Sequence, residues 1–275
     1  MRSPVEAVRA HWPEYAMEAA GLGFFMVSAS FVTTALEYPH SPLHAFIPDP
    51  FLRRIFIGIC MGLTAIVIIY SPWGKQSGAH LNPAVTLTFY RLGKINGIDA
   101  IFYVIAQSLG GLVGVLLSAG TMGMAIEHPA VNYVVTVPGR SGASSAFFAE
   151  LLISFGLMLT VLLVSNHRRL SIFTGLIAGC LVALYISIEA PISGMSMNPA
   201  RTFASALPAH LWTAFWVYLT APLLGMLLAA EVYVRTKSHQ QVHCAKLHHQ
   251  NATRCIFRCN YFGLLQAGTR SRTPD

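Results

Sequence analysis

The chain has 275 residues, of which 54% are hydrophobic and only 11% charged; its mean hydropathy is +0.55 and its formal net charge +7. Such a composition excludes a water-soluble globular domain, which carries far more charge on its surface. The positive balance calls for no nucleic-acid partner, because the basic residues fall between long apolar runs, where a membrane protein collects them.

Residues 1–13 carry charges of both signs and form an N-terminal segment without the features of a cleavable signal peptide. The first apolar run, Glu14–Leu36, is long enough to cross a bilayer and acts as its own membrane signal. A second run, Phe51–Pro72, precedes the tripeptide Asn82-Pro83-Ala84, and a third spans Gly97–Met122. A fourth run, Ser144–Val164, and a fifth, Ser171–Pro191, lead to a second copy of the tripeptide, Asn198-Pro199-Ala200. The sixth run is Leu211–Val234, followed by a polar, basic tail over residues 235–275.

One Asn-Pro pair is an ordinary turn or helix start, but two copies in similar surroundings, one in each half of the chain, call for a common cause. Asn is a favoured N-cap, and Pro at the first helical position loses nothing by lacking an N–H. Each tripeptide therefore begins a helix. The apolar residues that follow, Val85–Tyr90 and Thr202–Leu207, give helices of roughly 8 to 10 residues, about half of a ~30 Å bilayer core. Two such starts meeting at mid-membrane direct unpaired N–H groups and positive dipole ends at one place, a site rich in donors and hostile to cations.

Three spans and a half-helix, then the same again, make an internal repeat over about 14–122 and 144–234. An odd number of spans per copy inverts the second relative to the first. The glycine pairs Gly58/Gly62 and Gly175/Gly179 recur in spans two and five, where they suit close helix packing. With both termini cytoplasmic, the inner segments and tail hold fourteen Lys and Arg residues and the outer loops three, Arg53, Arg54 and Arg140. Of the five cysteines, Cys60 and Cys180 lie within spans and Cys244, Cys255 and Cys259 in the tail, so no disulfide framework is implied. The tail also holds His239, His243, His248 and His249, but it lacks a Cys-x-x-Cys pair and regular ligand spacing. It reads as a disordered tail, with no metal site and no cofactor.

Ser77-Gly78-Ala79-His80-Leu81-Asn82-Pro83-Ala84-Val85-Thr86 and Ser193-Gly194-Met195-Ser196-Met197-Asn198-Pro199-Ala200-Arg201-Thr202-Phe203 resemble the two signature loops of the aquaporin, or major intrinsic protein, family. The resemblance covers roughly residues 14–234. It implies an all-α membrane protein with six tilted helices and two re-entrant half-helices around one pore per subunit, usually a homotetramer in the cell membrane. It also implies that Glu18 and Glu150, near the starts of spans one and four, brace the half-helix loops. A carboxylate within a span is costly unless paired, which fits a bracing role better than solute contact.

If the side-chain oxygens of Asn82 and Asn198 cap their own helices, both amide NH₂ groups remain free to donate to a passing oxygen. Arg201, a cation within the membrane, lines the narrow selectivity filter in the family, where its charge repels cations and its donors replace lost hydration. His80 is expected to pack in its loop. The other filter positions fall on Ile186, Met195 and either Met61 or Gly62, the choice depending on a one-residue excess in 71–76. Strict water channels have His where Ile186 stands and an aromatic in span two, so this ring is more apolar. Thr202 stands where glycerol channels usually carry Asp, Tyr218-Leu219 matches the pair of neither water nor glycerol channels, and Glu189 either faces the outer vestibule or caps loop contacts.

These features describe a passive channel for water and small uncharged solutes such as glycerol that excludes ions and protons. No nucleophile–base pair, phosphate loop or metal motif lies in the spans, which argues against an enzyme. A strict water channel is the alternative. A secondary transporter with inverted repeats is a further one, although the spans lack paired ionisable groups for ion coupling. A junction or adhesion protein with a nearly closed pore is the third.

Overall fold

The computed structural model describes residues 3–261. Six of its helices are long and apolar enough to cross a membrane. In chain order the helices are α1 (Pro4–Glu37), α2 (Pro42–Phe46), α3 (Pro50–Tyr70), α4 (Pro72–Ser77), α5 (Pro83–Arg91), α6 (Gly97–Met122), α7 (Met124–Glu127), α8 (Gly142–Ser165), α9 (Thr174–Ser193), α10 (Pro199–Ala209) and α11 (Phe215–Lys237). The spanning helices α1, α3, α6, α8, α9 and α11 form a bundle. The short α5 and α10 enter it from opposite faces.

Helix α1 begins ten residues before the apolar run that marks it in the sequence. Ser3 caps it, with Ser3 Oγ accepting from Glu6 N and Glu6 Oε2 accepting from Ser3 N in a capping box, and Pro4 stands at the first position. The expected separate segment 1–13 is thus helical from Pro4 onward. The stretch 71–76, one residue longer than usual, is taken up by α4, which Ser71 caps.

The main pairings are α1 on α6, α8 on α11, and α3 on α9. These are the pairings an inverted repeat requires, since the operation carrying α1 to α8 and α6 to α11 exchanges α3 with α9. At the α3–α9 crossing, a Cβ on Gly62 would lie 2.5 Å from the Gly179 carbonyl oxygen, and one on Gly179 would lie 2.6 Å from that of Gly62. Only glycine at both positions allows this approach, as is usual where membrane helices pack through backbone contact. Large apolar side chains such as Phe24, Ile101, Leu109, Phe148, Leu152 and Leu228 point outward, as a lipid-facing surface requires.

The tail differs most from its sequence reading. Instead of a disordered chain, residues 242–261 lie packed across the face that carries both ends of the bundle, with Val242, Ala245, Leu247, Phe257 and Tyr261 buried. The physical reason is a set of contacts to distant segments. Arg254 Nε donates to Glu14 Oε1 at 3.0 Å and its Nη2 to Ala10 O at 2.8 Å. Leu247 N donates to Gly78 O at 3.1 Å, His243 N to Asn166 Oδ1 at 2.7 Å and Arg258 N to Lys94 O at 2.9 Å. The rest of the expected tail, 262–275, lies outside the described residues.

Candidate functional site

The two signature loops share one construction, displaced by 116 positions (82 to 198). Each turns through Gly78 or Gly194 in the left-handed region, at φ 98° and 82°. Each then holds two further residues there: Ala79 and Leu81 at φ 55° and 51°, Met195 and Met197 at φ 50° and 52°. Such a conformation costs a non-glycine residue about 1–2 kcal/mol, so it persists only where the surroundings compel it.

Buried carboxylates supply the compulsion. Glu18 accepts from Ser77 Oγ at 2.8 Å, His80 N at 3.0 Å, Leu81 N at 2.6 Å and Gln107 Nε2 at 2.8 Å. Glu150 accepts from Ser193 Oγ, Ser196 N and Met197 N, each at 2.7 Å. Bonds from backbone N–H groups to a carboxylate are strong charge-assisted ones, and they aim consecutive donors of the strained loop at one point.

Further pairs recur in the two halves, displaced by 116 positions, or by 115 for Tyr103 and Tyr218, and their hydrogen bonds were not anticipated from the sequence. Ser77 and Ser193 each accept from the backbone N–H two residues on, at 3.2 and 3.1 Å. Tyr103 OH donates to Ser77 O at 2.7 Å and Tyr218 OH to Ser193 O at 2.5 Å. His80 Nδ1 meets Thr86 Oγ1 at 3.1 Å, and Ser196 Oγ meets Thr202 Oγ1 at 2.5 Å. Aligning the two halves would have exposed the Ser and Thr pairs. Thr202 also meets Thr136 Oγ1 at 2.9 Å, tying the second loop to the segment between α6 and α8.

Asn82 and Asn198 cap α5 and α10. Asn82 Oδ1 accepts from Ala84 N at 2.8 Å, and Asn198 Oδ1 from Ala200 N at 3.1 Å and Arg201 N at 3.2 Å. Pro83 and Pro199 take the first helical positions, and Ala84 and Ala200 are buried behind them. The amide groups are less free than the sequence suggests. Asn82 Nδ2 donates to Met197 O at 2.6 Å and Asn198 Nδ2 to Leu81 O at 2.7 Å, which leaves one N–H on each amide.

Both asparagines line a cavity of about 520 Å³ that runs from Glu37 and Arg54 at one end to Leu247 of the tail at the other. Met61, Ile186, Met195 and Arg201 line the same cavity. Gly62 is not among the lining residues and faces α9, so of the two span-two alternatives it is Met61 that lines the cavity. Met61, Ile186 and Met195 are apolar parts of that lining. Arg201 Nη1 is buried without a hydrogen-bond partner among the described residues, a donor beside the cavity with nothing yet to donate to. His80 is buried between Phe89 and Phe257, with ring centroids 5.1 and 5.3 Å away, and its Nε2 donates to Ala245 O at 2.9 Å. Glu189 is buried near Ser193 and off the cavity wall, so it does not face a vestibule.

The family model described as "Major intrinsic protein" matches residues 10–233. "Probable aquaporin NIP-type" from Nicotiana alata is 38% identical over 182 residues, covering 65% of this chain and 65% of that protein. "Aquaporin NIP6-1" from Arabidopsis thaliana is 40% identical over 177 residues, 64% of this chain and 56% of that protein. "Aquaporin-4" from Mus musculus is 34% identical over 184 residues, 65% and 55% of the two chains. The chain thus spans less than two thirds of the length of these relatives. The "X-ray structure of the aquaglyceroporin from Plasmodium falciparum" superposes with a TM-score of 0.64 at 24% identity, covering 81% of this chain and 95% of that one, a likeness of fold. Because the family match runs from the first spanning helix into the last and takes in both half-helix loops, the chain belongs to the major intrinsic protein family.

Proposed function

We propose that this protein is a passive channel, one pore per subunit, for water and small uncharged solutes such as glycerol, excluding ions and protons. The observation that supports the reading is a single cavity lined by Asn82, Asn198 and Arg201 together with the apolar Met61, Ile186 and Met195. An apolar wall accommodates the carbon side of a polyol. The unpartnered Arg201 donor and the remaining amide N–H groups serve its hydroxyls or a water oxygen. Cations meet a fixed guanidinium and two helix N-termini, both of positive potential.

Glu18 and Glu150 act in this reading as braces, and Pro83, Ala84, Pro199 and Ala200 as the fixed starts of the half-helices. The ionisable side chains lining the cavity are Glu37, Arg54, His80 and Arg201. The carboxylates nearest the asparagines, Glu18 and Glu150, are occupied by loop donors and do not line the cavity, which favours a channel over a secondary transporter. Nothing in the reading requires chemical turnover. We assign the face carrying both termini to the cytoplasm on the bias of basic residues, in a multi-pass protein of the cell membrane assembled as a homotetramer in the bilayer.

The test is stopped-flow light scattering on proteoliposomes with paired water and glycerol gradients. A channel gives fast shrinkage with low activation energy. Exclusion of glycerol would reduce the reading to a strict water channel, and transport dependent on an ion gradient would replace it with a transporter.

A further inference from the structure

Residues 242–260 contain no helix and no strand, yet they hold a defined course across one face of the bundle. So short an irregular stretch has little core of its own, and a cross-link or a metal is a device that reinforces such a stretch beyond the contacts it makes with the bundle. Four side chains of this segment converge. The ligand atoms of Cys244, His249, Cys255 and Cys259 all lie within 4.8 Å of one another. Cys244 Sγ is 3.6 Å from Cys255 Sγ, and Cys259 Sγ is 3.0 Å from His249 Nε2.

These separations fit a tetrahedral ion. Bonds of ~2.3 Å to sulfur and ~2.0 Å to nitrogen place sulfur atoms about 3.8 Å apart and sulfur and nitrogen about 3.5 Å apart. Three sulfurs and one imidazole form a soft set of the kind that Zn²⁺ takes in closed structural sites, and hard cations such as Mg²⁺ or Ca²⁺ do not. The spacing Cys244-x₄-His249-x₅-Cys255-x₃-Cys259 lacks the usual Cys-x-x-Cys, which is why the sequence conceals it.

Two features around the cluster suit thiolates. Tyr261 N donates to Cys259 Sγ at 3.4 Å, a bond that fixes a ligating sulfur from the second shell. Lys246 is 2% exposed, and its Nζ donates to neutral oxygens: Arg254 O at 2.7 Å, Thr253 Oγ1 at 3.1 Å and Thr253 O at 3.4 Å. No carboxylate among the described residues forms an ion pair with it. A buried ammonium needs a counter-charge, and three thiolates on one divalent ion carry a net charge of −1 beside it.

We propose that Cys244, His249, Cys255 and Cys259 form a structural site for one Zn²⁺ ion that ties the tail into its packed form. The site is independent of the channel reading, since it contains no pore residue. It fits the cytoplasmic assignment of this face, where thiols stay reduced and available to a metal.

The experiment uses the full chain purified in detergent under reducing conditions. Metal analysis after Zn²⁺ loading and desalting is expected to find one ion per chain. Replacing Zn²⁺ with Co²⁺ is expected to give intense tetrahedral d–d bands and a sulfur-to-cobalt charge-transfer band. The double variant Cys255→Ser/Cys259→Ser should bind at least roughly tenfold more weakly. His249→Cys keeps four ligands, retains binding and strengthens the charge-transfer band. Cys60→Ser/Cys180→Ser, outside the cluster, leaves all signals unchanged. Wild-type chain that holds no Zn²⁺ and shows no charge-transfer band overturns the site, as does recovery of a Cys244–Cys255 disulfide in its place.

Discussion

Asn82 and Asn198 are joined by an exchange: each side-chain amide donates to the carbonyl that immediately precedes the other asparagine, at 2.6 and 2.7 Å. The starts of two half-helices entering from opposite faces are thereby held at a fixed separation. Replacing either residue by Asp keeps the capping oxygen but loses the donor and sets a carboxylate oxygen against a carbonyl. Asn82→Asp and Asn198→Asp are expected to destabilise the fold by about 1–3 kcal/mol, measured as a lower thermal midpoint in detergent. Bilayer conductance should show a modest cation leak, because the helix dipoles still oppose cations. Unchanged stability together with unchanged conductance would show that the exchange holds nothing.

The braces make a sharper prediction. In Glu18→Gln, one acceptor oxygen becomes an NH₂ that must face Ser77 Oγ and His80 N or Leu81 N and Gln107 Nε2, and Glu150→Gln creates the same conflict in the second loop. Each should cost about 2–4 kcal/mol, since buried donors are left facing donors. The expected readouts are a fall in thermal midpoint and a permeability loss for water and glycerol alike. A variant that retained wild-type stability would remove the bracing role.

Selectivity should respond at Ile186. Ile186→His adds a polar ring that can donate and accept, matching water better and a carbon backbone worse. Glycerol permeability is expected to fall several-fold while water permeability falls less, given that ~1.4 kcal/mol at the narrowest point is about tenfold in rate. Paired stopped-flow measurements normalised to inserted protein check this, and equal changes in both solutes would show that Ile186 does not discriminate.

Leu247 lines the terminal end of the cavity, held there by its own N–H on Gly78 O and by Ala245 O on His80. Ending the chain after Lys237 is expected to raise water permeability per inserted chain by roughly two- to tenfold, a barrier change of ~0.4 to 1.4 kcal/mol. Leu247→Ala, with the tail retained, should give a smaller rise in the same direction. A fall in both would show that the tail supports the pore and does not obstruct it.

What the sequence revealed and what it concealed divide by range of interaction. The half-helix starts were legible because an Asn cap and a following Pro act within three residues, and the spans because bilayer thickness sets their length. From their own chemistry Glu18 and Glu150 were legible only as costly charges, and the expectation that they brace the loops came from the family resemblance, since their partners lie 43 to 89 residues away. Met61 and Gly62 are neighbours on one helix, and only the rotation of α3 against α9 decides which of them meets the cavity. The tail was misread because its order comes from Glu14, Gly78, His80 and Asn166, at separations of up to 240 residues, which a local reading of polarity cannot register.

Among the positions at which the two loops differ, His80 and Ser196 separate the two mouths. Ser196 is short and bonds within its own loop, to Thr202 and Asn198, whereas the His80 ring reaches past its loop to Ala245. The first loop therefore engages the tail through His80, whereas the second reaches the segment between α6 and α8 through Thr202. Passive flow obeys the gradient whichever way it points, and an obstruction at one mouth halts inflow and outflow together. In a channel of the proposed kind, the histidine in place of a serine would couple the tail to one mouth alone.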